Sequence, residues 1–87
     1  MKLIFAILRD SDADAVTQSL TASDFRVTRI ASTGGFLRRG VVTLLIGLDD
    51  ARVDAAIEVI RANVVHNEGE DTQGTIFVLP VNNFVQV

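Results

Sequence analysis

Eighty-seven residues, 48% hydrophobic and 22% charged, make one globular domain spanning 1–87 with a small core. The chain has no cysteine, which excludes disulfides, thiolate metal sites and a cysteine nucleophile and suits a reducing, cytoplasmic setting. A formal net charge of −3 and a pI near 4.8 exclude the broad basic surface that a nucleic-acid polymer requires.

The elements follow in chain order. Leu3 to Leu8 is a continuous apolar run bounded by charges and predicts a first strand. Arg9-Asp10-Ser11-Asp12 ends that run after six residues, too soon for export or membrane insertion, so no membrane partner is expected. Asp10, Ser11 and Asp12 supply N-cap chemistry and negative charge for a helix over 11–21, with Ala13, Val16 and Leu20 at helical spacing. Phe25 to Ser32, rich in β-branched residues, predicts strand two, and Val41 to Leu48 predicts strand three. Asp49-Asp50 caps a second helix over 51–63, whose buried stripe is Val53, Ala56, Ile57 and Ile60. A polar segment, 64–73, precedes strand four, Gly74 to Leu79, which Pro80 ends. The tail 81–87 is expected to return as a short edge segment.

The order β-α-β-β-α-β predicts an α+β, ferredoxin-like sandwich. Two helices on one face of the sheet bury half of each strand's side chains, yet the other half is apolar too. Leu3, Phe5 and Ile7 oppose Ile4, Ala6 and Leu8, and Val41 and Leu45 oppose Val42, Leu44 and Ile46. A second apolar face of this size predicts a homo-oligomer.

Positive charge is concentrated between strands two and three. From Phe25 to Leu48 there is no acidic residue, while Arg26, Arg29, Arg38 and Arg39 all lie there. Within this span, Thr33-Gly34-Gly35-Phe36-Leu37-Arg38-Arg39-Gly40 joins the two strands. Its glycines permit positive φ and close backbone approach to an anion, and they equally suit a long hairpin turn. The segment lacks the Lys-[Ser/Thr] ending of a phosphate-binding Walker loop. Phe36-Leu37 favours a ligand, because two large apolar residues at a loop tip need something to cover and an aromatic face suits a purine. Arg26 and Thr28, two residues apart, point to one side of strand two. A guanidinium beside a hydroxyl grips a phosphate or a base edge; the plain structural alternative is an edge salt bridge. The expected partner is therefore a small anion, a phosphorylated nucleotide above all.

Other chemistry is sparse. His66 lies near Glu68, Glu70 and Asp71, but there is no second histidine for zinc and no regular calcium-loop spacing, so a solvated loop is expected. Asp10, Asp12 and Asp14 alternate without the glycine turn and distal glutamate of a calcium site, leaving helix capping as the better account. No catalytic set is evident, no metal or cofactor is expected, and the chain reads as a non-enzyme.

At these residues the chain resembles the small PII-like signalling proteins that act as cyclic di-AMP receptors. The similarity runs through Lys2 to Asp10, Phe25-Arg26-Val27-Thr28-Arg29, Thr33 to Gly40, Thr43-Leu44-Leu45-Ile46-Gly47, Asp50-x-Arg52-Val53-Asp54, Phe77-Val78-Leu79-Pro80-Val81 and Phe84-Val85-Gln86. The resemblance implies a PII-like domain assembled as a homotrimer, with nucleotide sites in the clefts between subunits and a downstream protein partner. It implies ligand contacts from Arg26 and Thr28, a wrap around base and phosphate by Gly35, Phe36 and Leu37, and space beside Gly47. It further implies that Phe77 and Gln86 approach from the neighbouring end of the sheet.

Departures of two kinds stand out, in residue identity and in segment length. Val41 and Val42 follow Gly40 where the family usually has asparagine and threonine, and an amide that reads a base edge contributes on the order of 1–3 kcal/mol. Asp24 likewise stands where asparagine is common. The segment 64–73 is also much shorter than the long loop that relays the signal in characterised receptors. The expectation is a nucleotide-sensing signal-transduction protein that binds cyclic di-AMP or a related adenine nucleotide. The alternative is a trimeric interaction module that kept the scaffold and lost cyclic di-AMP. An acylphosphatase-like hydrolase would need its anion loop after the first strand, where this chain is acidic. An RNA-binding surface would need paired aromatics on the central strands.

Overall fold

The structure, a computed structural model, describes residues 1–30, 40–66, 69 and 73–87. Its elements are β1 (Lys2–Arg9), α1 (Asp10–Ala22), β2 (Arg26–Ile30), β3 (Val41–Leu48), a 3₁₀ turn (Asp50–Arg52), α2 (Val53–Asn63) and β4 (Gly74–Pro80). The four strands form one sheet in the order β2-β3-β1-β4, with every neighbouring pair antiparallel. This is the ferredoxin-like arrangement expected from the element order.

The two-residue strand period sorts the side chains. Ile4, Ala6 and Leu8 of β1 and Val42, Leu44, Ile46 and Leu48 of β3 are buried against the helices. From α1 they meet Ala13, Val16 and Leu20, which recur every three or four residues; from α2 they meet Ala56 and Ile60. Val53 and Ile57 flank the α2 stripe, half-buried.

Register fixes the opposite face as three cross-strand rows, read from β2 to β4. They are Arg26-Gly47-Leu3-Leu79, Thr28-Leu45-Phe5-Phe77 and Ile30-Thr43-Ile7-Thr75. Phe77, at 52% exposure, and Leu79, at 43%, give this face its open apolar surface.

Several local expectations change. Neither helix start is capped by a side chain. Asp12 is buried and ion-paired to Arg9 (3.0 Å), while its other oxygen accepts from the Val65 backbone N–H (3.2 Å). Asp50 binds the Met1 ammonium (3.0 Å) and lies near Lys2; these charges hold its carboxyl below the usual aspartate value. The carboxylates were thus drawn to cations within reach rather than to the orphan N–H groups, although Asp10 and Asp12 still sit favourably in the first turn of α1. Asp10 and Asp14 both pair with Arg29.

The tail 81–87 is not a strand. It is tied back by one backbone bond, Val81 N–H to Met1 C=O (3.0 Å), and then bends at Asn82. Pro80 has no N–H to extend a ladder, and Asn82-Asn83 favours a turn. Strand two begins one residue later than expected because Phe25 completes the turn out of α1. Ala31 and Ser32, its expected end, lie outside the described residues.

Candidate functional site

The open sheet face ends in a cleft of about 380 Å³ where β2, β3, the chain start and the tail converge. Arg26, Thr28, Leu45 and Gly47 form its floor, Met1, Lys2 and Leu3 one side, and Val81, Phe84 and Gln86 another. The pairing of Arg26 with Gly47 and of Thr28 with Leu45 sets the floor. Gly47 makes room there: a Cβ at this position would lie 3.2 Å from the Met1 side-chain methyl.

Electrostatics single out Arg26. Lys2, Arg9, Arg29 and Arg61 all engage carboxylates, and Arg52 donates to backbone carbonyls. Among the described residues, Arg26 is the cationic side chain with no hydrogen bond or ion pair. The edge salt bridge that would explain Arg26 without a ligand is therefore not formed among these residues. Its positive charge faces an open cleft beside a hydroxyl (Thr28) and an amide (Gln86), a donor set suited to a phosphate and a base edge.

The start of β2 is rigidly placed. Helix α1 ends with Asp24 in the left-handed region (φ 69°), while the Phe25 N–H reaches Leu20 C=O and the Asp24 N–H reaches Thr21 C=O. This is a Schellman turn, which reverses the chain and buries Phe25 against the core. Arg52 completes it by donating to the Ser23 carbonyl (2.9 Å) and the Asp24 carbonyl (3.3 Å), with its guanidinium 4.0 Å from the Phe25 ring centroid. The next residue is Arg26.

The structure thus brings Arg26, Thr28, Gly47 and Gln86 together. Phe77 shares their face but lies two strands beyond Leu45, roughly 10 Å away at ordinary strand spacing, and does not line the cleft. Gly35, Phe36 and Leu37, with Arg38 and Arg39, lie outside the described residues. Arg29 leaves the predicted cationic group, because it faces the helices and is taken by Asp14 (2.6 Å) and Asp10 (3.5 Å). Val41, half-buried on the open face, sits six residues from Gly47, roughly 20 Å along β3. Sequence reasoning missed Met1, Lys2, Leu3, Leu45, Val81 and Phe84 as cleft residues. The alternation of β1 and β3 places Leu3 and Leu45 on the open face, but nothing local signals the path of the tail.

No cluster of three or more potential metal ligands occurs among the described residues, and Glu68, Glu70 and Asp71 lie outside them. His66 instead meets Gln73 across the 64–73 segment, Nδ1 to Oε1 2.8 Å. Among the described residues, no helix is long and apolar enough to cross a membrane.

A family model described as "Cyclic-di-AMP receptor" matches residues 1–69. The chain belongs to the cyclic-di-AMP receptor family. Membership assigns it a receptor-type signalling role in a family of binding proteins. The chain is also similar to a solved structure of a functionally unknown protein from Pediococcus pentosaceus ATCC 25745. That match has 32% identity and a TM-score of 0.82, covering 99% of this chain and 96% of the other. The TM-score shows that the two chains share one fold.

Proposed function

We propose that this receptor-family chain is a non-enzymatic, cytoplasmic signalling protein that binds cyclic di-AMP or a related adenine nucleotide between subunits of a homotrimer. The observation that supports the ligand most directly is Arg26, unpaired among the described residues and facing an open cleft with Thr28, Gly47 and Gln86. An unpaired guanidinium beside a hydroxyl and an amide matches a phosphodiester joined to a base. The open apolar face, with Phe5, Leu45, Phe77 and Leu79, supports the assembly, since such a face is normally covered in a soluble protein.

Strand geometry supports a site shared between copies. The Gly34-to-Gly40 loop joins β2 and β3 at their Ile30–Thr43 end, whereas Arg26 and Gly47 lie at the other end. A ligand held by Arg26 of one copy and by Phe36 of another bridges them, and Phe77 reaches such a site from the neighbouring sheet. Binding then alters a surface read by a downstream protein. Isothermal titration with cyclic di-AMP, ATP, ADP and AMP tests this reading: saturable heat with at least one supports it, and no heat at high micromolar concentrations of all four overturns it.

One observation favours the second reading, a trimeric interaction module without cyclic di-AMP. Val41 stands at the head of β3 with no amide to offer a base. That module would leave all four titrations blank while still forming a trimer in solution.

A further inference from the structure

Phe84 lines the Arg26 cleft from the tail, yet 64% of it remains exposed. An aromatic ring left this open in water gains nothing from the core, and here it stands beside a guanidinium, a hydroxyl and an amide. The tail that carries it is anchored just before it, by the Val81 N–H to Met1 C=O bond, so the ring is presented at a defined wall of the cleft. Across the floor, Gly47 offers no side chain, leaving width for a flat group between the wall and the sheet. Polar anion-binding groups below and an open aromatic face at the side form a two-part receptor, one part for phosphate and one for a planar base.

Building on the nucleotide reading above, we propose that Phe84 is a specificity-determining residue that stacks on the ligand's base, so that the cleft selects nucleotides over phosphate-bearing ligands without an aromatic ring. Arg26 holds the charge; Phe84 tells a nucleotide from any other small anion. Stacking requires only a π face, so a tyrosine satisfies it and an aliphatic side chain of similar bulk does not.

Calorimetric titration of cyclic di-AMP into the wild type, Phe84→Tyr, Phe84→Leu and Phe84→Ala tests this, alongside proton spectra of the bound adenine. The expected result is near-wild-type affinity for Phe84→Tyr and a loss of roughly tenfold or more for Phe84→Leu and Phe84→Ala. The upfield ring-current shift of the adenine protons should diminish in the same two variants. A wild type that binds while Phe84→Ala binds equally well, with the same adenine shifts, overturns the role of Phe84 and leaves the nucleotide site standing. Phe84→Ala changing the molecular mass by light scattering reassigns the ring to subunit packing. A wild type that binds no nucleotide overturns both readings.

Discussion

Arg52 stacks on Phe25, its guanidinium carbon 4.0 Å from the ring centroid, while its two terminal nitrogens cap the carbonyl end of α1. The last turn of α1 contains no basic residue, so Arg52 brings to the negative end of that helix dipole the charge its own sequence lacks. The contact also pins the chain one residue before Arg26. Replacing Arg52 with alanine should cost about 1–2 kcal/mol, from the lost cation–π contact and charged hydrogen bonds. The urea midpoint measures this, and an unchanged midpoint would remove the contact from any structural role.

Asp24 offers the opposite test. It is the described non-glycine residue with positive φ, held at 69° by the Schellman turn. Glycine adopts that conformation without the Cβ penalty, so Asp24→Gly should stabilise the domain by about 1 kcal/mol. For a domain of this size, that is a rise in melting temperature of roughly 4–8 °C. A fall would mean that the Asp24 side chain contributes more than its strain costs.

Asp12 ties three segments at one junction. Its oxygens take Arg9 and the Val65 N–H, and next to it the Asp10 N–H holds the Gly40 carbonyl at 2.7 Å. The exit of the glycine-rich loop and the start of the 64–73 segment are therefore both held at the first turn of α1. Since Asp12 is only 2% exposed, Asp12→Ala should cost about 2 kcal/mol by removing the buried carboxylate that Arg9 and the Val65 N–H share as an acceptor. Hydrogen exchange at the Val65 amide should accelerate in parallel. Asp12→Asn, which keeps one carbonyl acceptor, should fall between it and the wild type.

Gly47 separates binding from folding. A methyl there lies 3.2 Å from the end of the Met1 side chain, a neighbour able to rotate away. Gly47→Ala should change stability by less than about 1 kcal/mol, within the range of ordinary surface substitutions. Gly47→Val adds two more methyl carbons over the cleft floor and should weaken nucleotide binding several-fold more than Gly47→Ala. Equal affinities for all three proteins would show that ligand does not pass over this position.

Much of the fold was legible because it rests on period and order. The bounds of β3 follow from the apolar run itself, and the α1 stripe of Ala13, Val16 and Leu20 follows from helical spacing. The strand period alone placed Arg26 and Thr28 on one face. What was not legible depended on long-range partners. The choice of Asp12 for Arg9 and Val65, or of Asp50 for Met1, outweighed local capping preferences through contacts that only the folded chain creates. Arg29 looked equivalent to Arg26 in the charge count, but strand alternation sends it to the helix side and into the hands of Asp14. Phe84 entered the cleft through the path of the tail, which no local pattern encodes.

The central claim, a nucleotide held at Arg26 between subunits, is tested most directly by titrating cyclic di-AMP into the wild type and Arg26→Ala while light scattering reports their mass. Saturable binding at one ligand per subunit of a trimer is predicted. Arg26→Ala should lose roughly tenfold or more in affinity, the worth of a charged hydrogen bond, with no change in mass. Binding that is absent from the wild type, or unaffected by Arg26→Ala, would contradict it.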